Sequence, residues 1–456
     1  MNSRPLRVTV VGAGPAGIFT AAALTDQDAV PVEVHVLDRL PTPFGLVRHG
    51  VAPDHTAIRD LRKSLQRVLE RDAVRFTGNV EVGSDISLAE LQASTHAVVL
   101  TYGAARDRSL GIPGEQLPGS IPATDLVSWY CGHPGTDPSA VEALLSGATS
   151  AVVVGVGNVA LDVVRILAKG PGELESTDMP QHVLQALAGS RLRDIHLVGR
   201  RSPARATFTT KELRELGELP GVGVRVDPRD LELDPVEAAA AEANKVAGRN
   251  LAILREWSER PRTETARTVH LHFWSRPREV LGTDRVSGLV LERTAPDGEG
   301  GVALTGEDRT IPAQLLIRSV GYRSVPLAGL PFDAGAHVVP NHRGRVVDDG
   351  VPLAGHYVAG WLKRGPSGVI GTNKMDALET VGAVLEDVPQ LLGREVGHDL
   401  AQQLAERGLV TTDMRAWRRI DDHEVGLGAS RGRLRTTVHD WEELLSIAGG
   451  RPDALP

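Results

Sequence analysis

A β-branched apolar run that stops at a glycine-rich turn and restarts as a helix-forming stretch leaves a chain few folds to choose from. This chain carries that arrangement twice. Residues 6–11 read as a buried parallel strand. They lead into Gly12-Ala13-Gly14-Pro15-Ala16-Gly17, then an alanine-rich, helix-competent stretch over 18–24. A second strand over 32–37 ends at Asp38. The second copy starts with a strand at 151–154. Gly155-Val156-Gly157-Asn158-Val159-Ala160 follows, with a helix over 159–167 and a later strand over 194–198 that ends in Gly199-Arg200-Arg201. Residues 169–192 form a polar insertion that must leave the sheet for this reading to hold.

Each turn has a chemical reason. Gly12 permits the tight turn, Gly14 lets the backbone approach a pyrophosphate, and Gly17 lets helix and strand pack closely. The helix N-terminus adds amide donors and a favourable dipole. Asp38 stands near the roughly 20-residue offset at which a carboxylate meets ribose hydroxyls. A carboxylate there repels a ribose phosphate, so this turn is expected to hold FAD or NAD, not NADP. The second turn has the form G-x-G-x-x-A and ends on Arg200 and Arg201 where the first has Asp38. Paired guanidiniums can clamp a 2′-phosphate bidentately, which points to NADPH. A solvated arginine pair on a turn is the competing reading, and the gap from Gly157 to Arg200 is longer than usual.

Elsewhere, helical spacing predicts one amphipathic helix over 54–72, with Ile58, Leu61, Leu65, Val68 and Leu69 on one face. Alternation over 267–304 predicts antiparallel strands, residues 269–274 among them. Apolar strands running to a glycine recur near Gly103, Gly321 and Gly360. The net charge of −8 argues against a general nucleic-acid binder, which is usually basic. Cys131 is the only cysteine, which excludes an internal Cys-x-x-Cys pair and a protein-ligated iron–sulfur cluster. It reads as a packed small residue. The N-terminus enters a strand at once, without an apolar leader, and no stretch nears the roughly 18 apolar residues of a membrane helix. A soluble, cytoplasmic protein is the expectation.

Longer segments then become specific. They are Pro41-Thr42-Pro43-Phe44-Gly45-Leu46-Val47-Arg48, Gly50-Val51-Ala52-Pro53-Asp54-His55, Gly157-Asn158-Val159-Ala160-Leu161-Asp162 and Phe208-Thr209-Thr210-Lys211-Glu212-Leu213, with Gly360-Trp361-Leu362-Lys363-Arg364-Gly365-Pro366-Ser367-Gly368-Val369-Ile370-Gly371-Thr372-Asn373. With them, the chain resembles the adrenodoxin-reductase-type ferredoxin–NADP reductases, especially the actinobacterial ferredoxin/NADP reductases. The resemblance implies an α/β fold of two Rossmann-like three-layer dinucleotide-binding domains, in the glutathione-reductase-like flavoprotein architecture. An FAD-binding domain would comprise residues 1–105 and 325–456, with an NADP-binding domain at 106–324. It implies hydride transfer between NADPH and FAD, then one-electron transfers to ferredoxin. Cytochrome monooxygenases are the downstream expectation. A flavin electron-input module or diaphorase serving another acceptor is the alternative.

Residue by residue, the resemblance implies FAD contacts at Ala16, Asp38, Leu46, Val82, Trp361, Gly368, Val369 and Ile370, beside Gly12, Gly14 and Gly17. It implies NADP contacts at Asn158, Val159, Arg200, Arg201, Glu212 and Gly368, beside Gly155 and Gly157. His55 and Asp162 match polar residues near the reacting rings, with no metal expected. Two departures are visible: Asp38 where the family commonly has Glu, and Val156 where close relatives carry Asn. His55 has a second reading as a structural residue at a helix start, with Asp54 as the better cap. Trp361 is open between shielding a flavin and packing a core. Arg59, Lys63, Arg67 and Arg71 stand four apart. They form either a basic strip that steers an acidic carrier or a solvated face paired with Asp60 and Glu70. Disulfide reductases of the thioredoxin-reductase type, and clustered electron-input subunits, need cysteines this chain lacks.

Overall fold

Strands buried on both faces must be apolar throughout, and the two apolar runs after which the glycines come are interior strands of two mainly parallel sheets. The computed structural model describes residues 4–261, 263–397 and 399–449; residues 1–3, where the reading of the N-terminus began, lie outside them. The chain folds as two compact units, one of residues 1–106, 131–135 and 322–456, the other of residues 107–130 and 136–321.

In the first unit, Leu6–Val11 pairs in parallel with Val32–Leu37 on one side and Ala97–Leu100 on the other. Val74–Thr77 extends the sheet beyond Val32–Leu37. Val351–Val358 extends it beyond Ala97–Leu100, and antiparallel Arg345–Asp348 and Asn341–His342 complete the seven strands. The period of two divides the core. Val8, Val10, Ala97 and Val99 bury into a cluster with Ile18, Leu24, Phe44 and Trp417. Val11, Leu37, Val98, Leu100 and Val358 bury on the opposite face with Leu91, Leu400 and Leu404. The helix Pro15–Thr25 begins with Pro15 in its first turn, where the missing N–H costs nothing.

The second unit has a six-stranded sheet in the order Ser120–Pro122, Leu315–Arg318, Ser150–Val154, Asp194–Val198, Arg267–His272, Val222–Val226. Ser150–Val154 and Asp194–Val198 are direct parallel neighbours. The insertion between them therefore does leave the sheet, folding as helices Pro171–Leu174 and Gln181–Ala188. An antiparallel sheet of Ser275–Leu281, Gly288–Pro296 and Val302–Pro312 covers one face, packing Val280, Leu289, Leu291 and Ile311 against Val152, Val154 and Val198.

Two expectations are corrected. Residues 269–274 are not antiparallel: Arg267–His272 is an interior parallel strand between Asp194–Val198 and Val222–Val226. Its alternation arises because Val269 and Leu271 bury on one face while His270 and His272 take the other. There His196 and His270 stack at 4.6 Å, and His270 Nε2 lies 2.8 Å from Asp194 Oδ1. Burial and neighbouring positive charge hold His272 down at about 2.

The single helix over 54–72 is broken. Thr56–Arg59 and Leu61–Leu69 are separate helices that meet at Asp60. Arg59 turns inward, 3% exposed, and donates to the Val51 carbonyl oxygen at 2.7 Å. Lys63 pairs with Asp60 at 3.0 Å, and Arg71, past the helix end, pairs with Asp26 at 2.8 Å. The fourfold spacing therefore makes no continuous basic strip, because the helix that would align it is not continuous.

The first unit is tied across its sequence by one buried carboxylate. Glu424, in the helix Met414–Ser430, accepts from Arg48 Nη1 at 3.0 Å and Nη2 at 2.5 Å, from Arg435 at 2.6 Å and from the Val438 N–H at 2.9 Å. Arg48 and Glu424 side chains are both fully buried. Trp417, two helical turns earlier on the same face, receives the Phe44 ring edge-on at 5.3 Å and lies under Arg48 at 5.2 Å. Phe44 itself sits at φ +85°, a conformation that persists only where surroundings over-determine it. Burial opposes ionisation of Glu424, but the guanidiniums prevail and hold its carboxyl at about 2.

Glu424→Gln should therefore cost about 3–5 kcal/mol, the price of leaving Arg48 buried without its partner. The double variant Arg48→Met with Glu424→Leu should recover part of that loss, because it removes the buried pair together while Arg435 and the Val438 N–H still lose an acceptor. Urea unfolding midpoints read both. The depressed carboxyl also sets a pH window. Its stabilisation is present above the ordinary value of 4.5 and is lost as pH falls toward about 2. The stability gap between the native chain and Glu424→Gln should narrow across that window; a constant gap would show that the pair is not the source.

Candidate functional site

The first glycine turn is built by close approach. Gly12 sits at φ +113°, and a Cβ there would lie 2.7 Å from the Thr101 carbonyl oxygen. A Cβ on Gly17 would overlap the Gly12 carbonyl oxygen, so any side chain would push the helix off the strand. Gly14 is extended and caps the helix without a side chain. A Cβ on it would meet nothing nearer than Gly45 Cα at 4.0 Å. The turn is thus closed toward the sheet and open at Gly14.

Asp38 braces the same turn. Its Oδ2 accepts from the Ala13 N–H at 2.7 Å and its Oδ1 from the Leu40 N–H at 2.9 Å. Burial pushes this carboxyl above its ordinary value, opposed by the two amide donors. The segment carrying Leu46 is attached through the Phe44 N–H, which donates to the Ala13 carbonyl oxygen at 2.8 Å. Leu46 is 41% exposed.

Ala16, Gly360 and Trp361 come together: a Cβ on Gly360 would lie 2.6 Å from Ala16 Cβ, and Trp361 starts the next helical turn. Its indole stacks on Tyr322, with ring centres 5.3 Å apart and planes at 26°. The Gly360 N–H donates to the Asp376 carboxylate, which also pairs with Lys363 at 3.1 Å. Gly368, Val369 and Ile370 lead into the helix Thr372–Glu386. Val369 is 68% exposed, and Ile370 accepts from the Asn373 amide at 3.1 Å. Val82 stands apart, packed into the core cluster on the opposite sheet face.

His55 is buried and occupies the N-cap position of Thr56–Arg59, but its side chain makes no capping bond. The N-cap position thus falls on His55 and not on Asp54. Close by in the same unit, His49 packs edge-on to His133 at 5.2 Å. Burial, together with Arg48, holds His49 far below its ordinary value and hence neutral.

At the second unit's glycine turn the tight approach falls on Gly155, where a Cβ would overlap the Ser319 carbonyl oxygen. Gly157 is the extended N-cap of Asn158–Ala168, and a Cβ on it would meet nothing nearer than Thr207 Oγ1 at 3.5 Å. Asn158 Oδ1 accepts from the Thr209 N–H at 2.9 Å, and the Thr207 N–H donates to the Val156 carbonyl oxygen at 3.0 Å. Val159 follows in the first helical turn, half-buried. The segment 207–209 thus lies along the turn, a brace the sequence reading missed.

Arg200 and Arg201 are held by their backbones and open at their side chains. The Arg200 carbonyl oxygen accepts from Thr294 Oγ1 at 2.8 Å, and that of Arg201 from the Trp274 N–H at 3.1 Å. Both side chains are exposed, and among the described residues neither makes an ion pair within 4.0 Å. Asp162 and Glu212 differ. Both pair with Arg165, at 2.8 and 2.9 Å, and Glu215 joins at 3.8 Å. Arg165 is 1% exposed. Sequence reading passed over it, though a lone arginine in the apolar run Val159 to Leu167, three residues after Asp162, was the available signal.

The comparisons fit this geometry. A family model for an NAD(P)-binding Rossmann-like domain matches residues 10–62. The chain is 42% identical to NADPH-ferredoxin reductase FprA of Mycobacterium leprae, over 97% of this chain and 98% of that one. It is 40% identical to the mitochondrial NADPH:adrenodoxin oxidoreductase of Arabidopsis thaliana, over 98% and 96%. Mycobacterium tuberculosis FprA in complex with NADPH superposes with a TM-score of 0.91 at 42% identity, over 98% of this chain and all of that one. With two glycine turns of opposite ribose-end charge and relatives matched from end to end, the chain belongs to the adrenodoxin-reductase-type ferredoxin–NADP reductase family.

Proposed function

We propose that the chain is an FAD-dependent ferredoxin–NADP(+) reductase, with residues 1–105 and 325–456 holding FAD and residues 106–324 holding NADP(H). The observation that carries the reading is the pair of open helix N-termini, one beside a carboxylate and one beside two unpaired guanidiniums. When bound, FAD supplies a centre that accepts a hydride and releases electrons singly to an iron–sulfur carrier. The names of the relatives support ferredoxin as that carrier.

The residues fit such groups. At Gly14 no side chain comes within 4 Å of a Cβ position, and at Gly157 only Thr207 Oγ1 comes within ordinary contact, so a pyrophosphate can reach the amides and the helix dipole. Each oxygen of Asp38 spends one lone pair on a backbone N–H, leaving others for ribose hydroxyls. Ala16, Leu46, Trp361 and the run Gly368 to Ile370 would line the flavin. Trp361, backed by Tyr322, supplies a flat apolar wall that excludes water. Val82 joins them only by resemblance. Arg200 and Arg201 would clamp the 2′-phosphate, and Asn158, Val159 and Glu212 would line the rest of the NADP site. His55 and Asp162 would stand near the reacting rings, with Arg165 as the positioning residue for Asp162 and Glu212. A reducing, cytoplasmic setting belongs to the same reading, supported by one buried cysteine; among the described residues no helix is long and apolar enough to cross a membrane.

Anaerobic stopped-flow bleaching of the flavin tests the clamp. NADPH should bleach it far faster than NADH. Arg200→Ala and Arg201→Ala should each weaken NADPH by roughly 10- to 100-fold, the size of a charge-assisted hydrogen bond, and leave NADH alone. Equal rates with both coenzymes would remove the clamp. His55→Ala should slow hydride transfer or ferredoxin reduction roughly tenfold, about one hydrogen bond. If both rates hold, His55 has only a structural role.

A further inference from the structure

A hairpin in the second unit is tied, just before its tip, to the backbone of the arginine pair. Gly288–Pro296 and Val302–Pro312 pair as far as Pro296 and Val302, leaving residues 297–301 as the tip. Thr294, three residues before it, donates to the Arg200 carbonyl oxygen at 2.8 Å. On the far side of the tip, a Cβ on Gly300 would lie 3.8 Å from Arg205 Nη2. The strand entering the tip is therefore tied to the backbone of Arg200, the tip passes near Arg205, and it bears two carboxylates, Asp297 and Glu299.

Asp297 is shaped for a fixed charge. Its Oδ1 accepts from the Glu299 N–H at 2.9 Å and the Gly301 N–H at 2.8 Å, while Oδ2 makes no hydrogen bond among the described residues. These two donors, with a smaller contribution from the Arg201 charge, hold the carboxyl below its ordinary range, so it is ionised wherever the protein works. The Arg201 charge acts on Asp297, but among the described residues the two form no ion pair within 4.0 Å, which leaves both available to a third charge.

We infer that Asp297 is a specificity-tuning residue for the 2′-phosphate: a carboxylate fixed beside the arginine clamp that repels the phosphate and limits how tightly NADP(H) is held. The inference rests on Arg200 and Arg201 being that clamp. The carboxylate's field opposes each phosphate that enters, so it weakens binding of 2′-phosphorylated nucleotides and leaves nucleotides without that phosphate untouched. An exposed charge pair is worth up to a few-fold in affinity, enough to loosen the coenzyme without abolishing its selection.

Calorimetric titration of the flavin-containing protein with 2′,5′-ADP and with 5′-AMP isolates the effect, because the ligands differ only in the 2′-phosphate. Asp297→Asn keeps an oxygen for the Glu299 and Gly301 N–H groups and removes only the charge, so the tip should keep its shape. The variant should bind 2′,5′-ADP roughly two- to fivefold tighter at low salt, with 5′-AMP unchanged. The gain should fade as salt screens it. Unchanged binding of 2′,5′-ADP, or equal tightening of both ligands, would overturn the inference while leaving the clamp intact. A native protein that does not prefer 2′,5′-ADP over 5′-AMP would remove the clamp itself, and the inference with it.

Discussion

The constraint on which the first unit depends is the approach of a helix to a strand at Gly17, so close that a methyl group would occupy the place of the Gly12 carbonyl oxygen. That approach sets the helix Pro15–Thr25 with its N-terminus over the end of the central strand. Everything else at the turn braces this position. Asp38 holds Ala13 from one side, and Phe44 holds it from the other. The second unit meets the same demand elsewhere. Its third turn position is Ala160, and the tight approach of its turn is at Gly155 against Ser319. Both turns remain open at the middle glycine, where a phosphate would come.

The two units then diverge in charge. At the end of the neighbouring strand the first presents a carboxylate tied to amides, and the second presents two guanidiniums tied only through their carbonyls. Compare Arg165, whose guanidinium is surrounded by three carboxylates and withdrawn from solvent. The protein buries and pairs the cation that orients its own side chains, and leaves exposed the cations that would meet a ligand. Glu424 does for the first unit what Arg165 does for the second. It neutralises Arg48 and thereby steadies the strained Phe44 and the Leu46 segment that rests on the glycine turn.

Local pattern made some of this legible and not the rest. The strand–turn–helix units, Asp38 and the arginine pair could be read directly, since each depends on neighbours within one β-α-β unit. The same holds for the insertion that leaves the sheet. Residues 269–274 misled because histidines at alternate positions imitate a solvated strand face, whereas here they stack on each other beneath a second sheet. Arg59 misled because spacing assumes a continuous helix, and the break at Asp60 turned it toward Val51. Glu424 carried no signal at all. Its partner Arg48 is 376 residues away, and nothing local announces a contact of that range. The family resemblance supplied Leu46, Val82, Trp361 and the Gly368 to Ile370 run, which no periodicity could have selected.

The central claim is that the first glycine turn, with its carboxylate, takes FAD. Its most direct measurement is the flavin released by heat from the purified protein, identified and quantified by chromatography against the protein concentration. One FAD per chain and no FMN is the expected result. Colourless protein that takes up no FAD on reconstitution would contradict the account at its root.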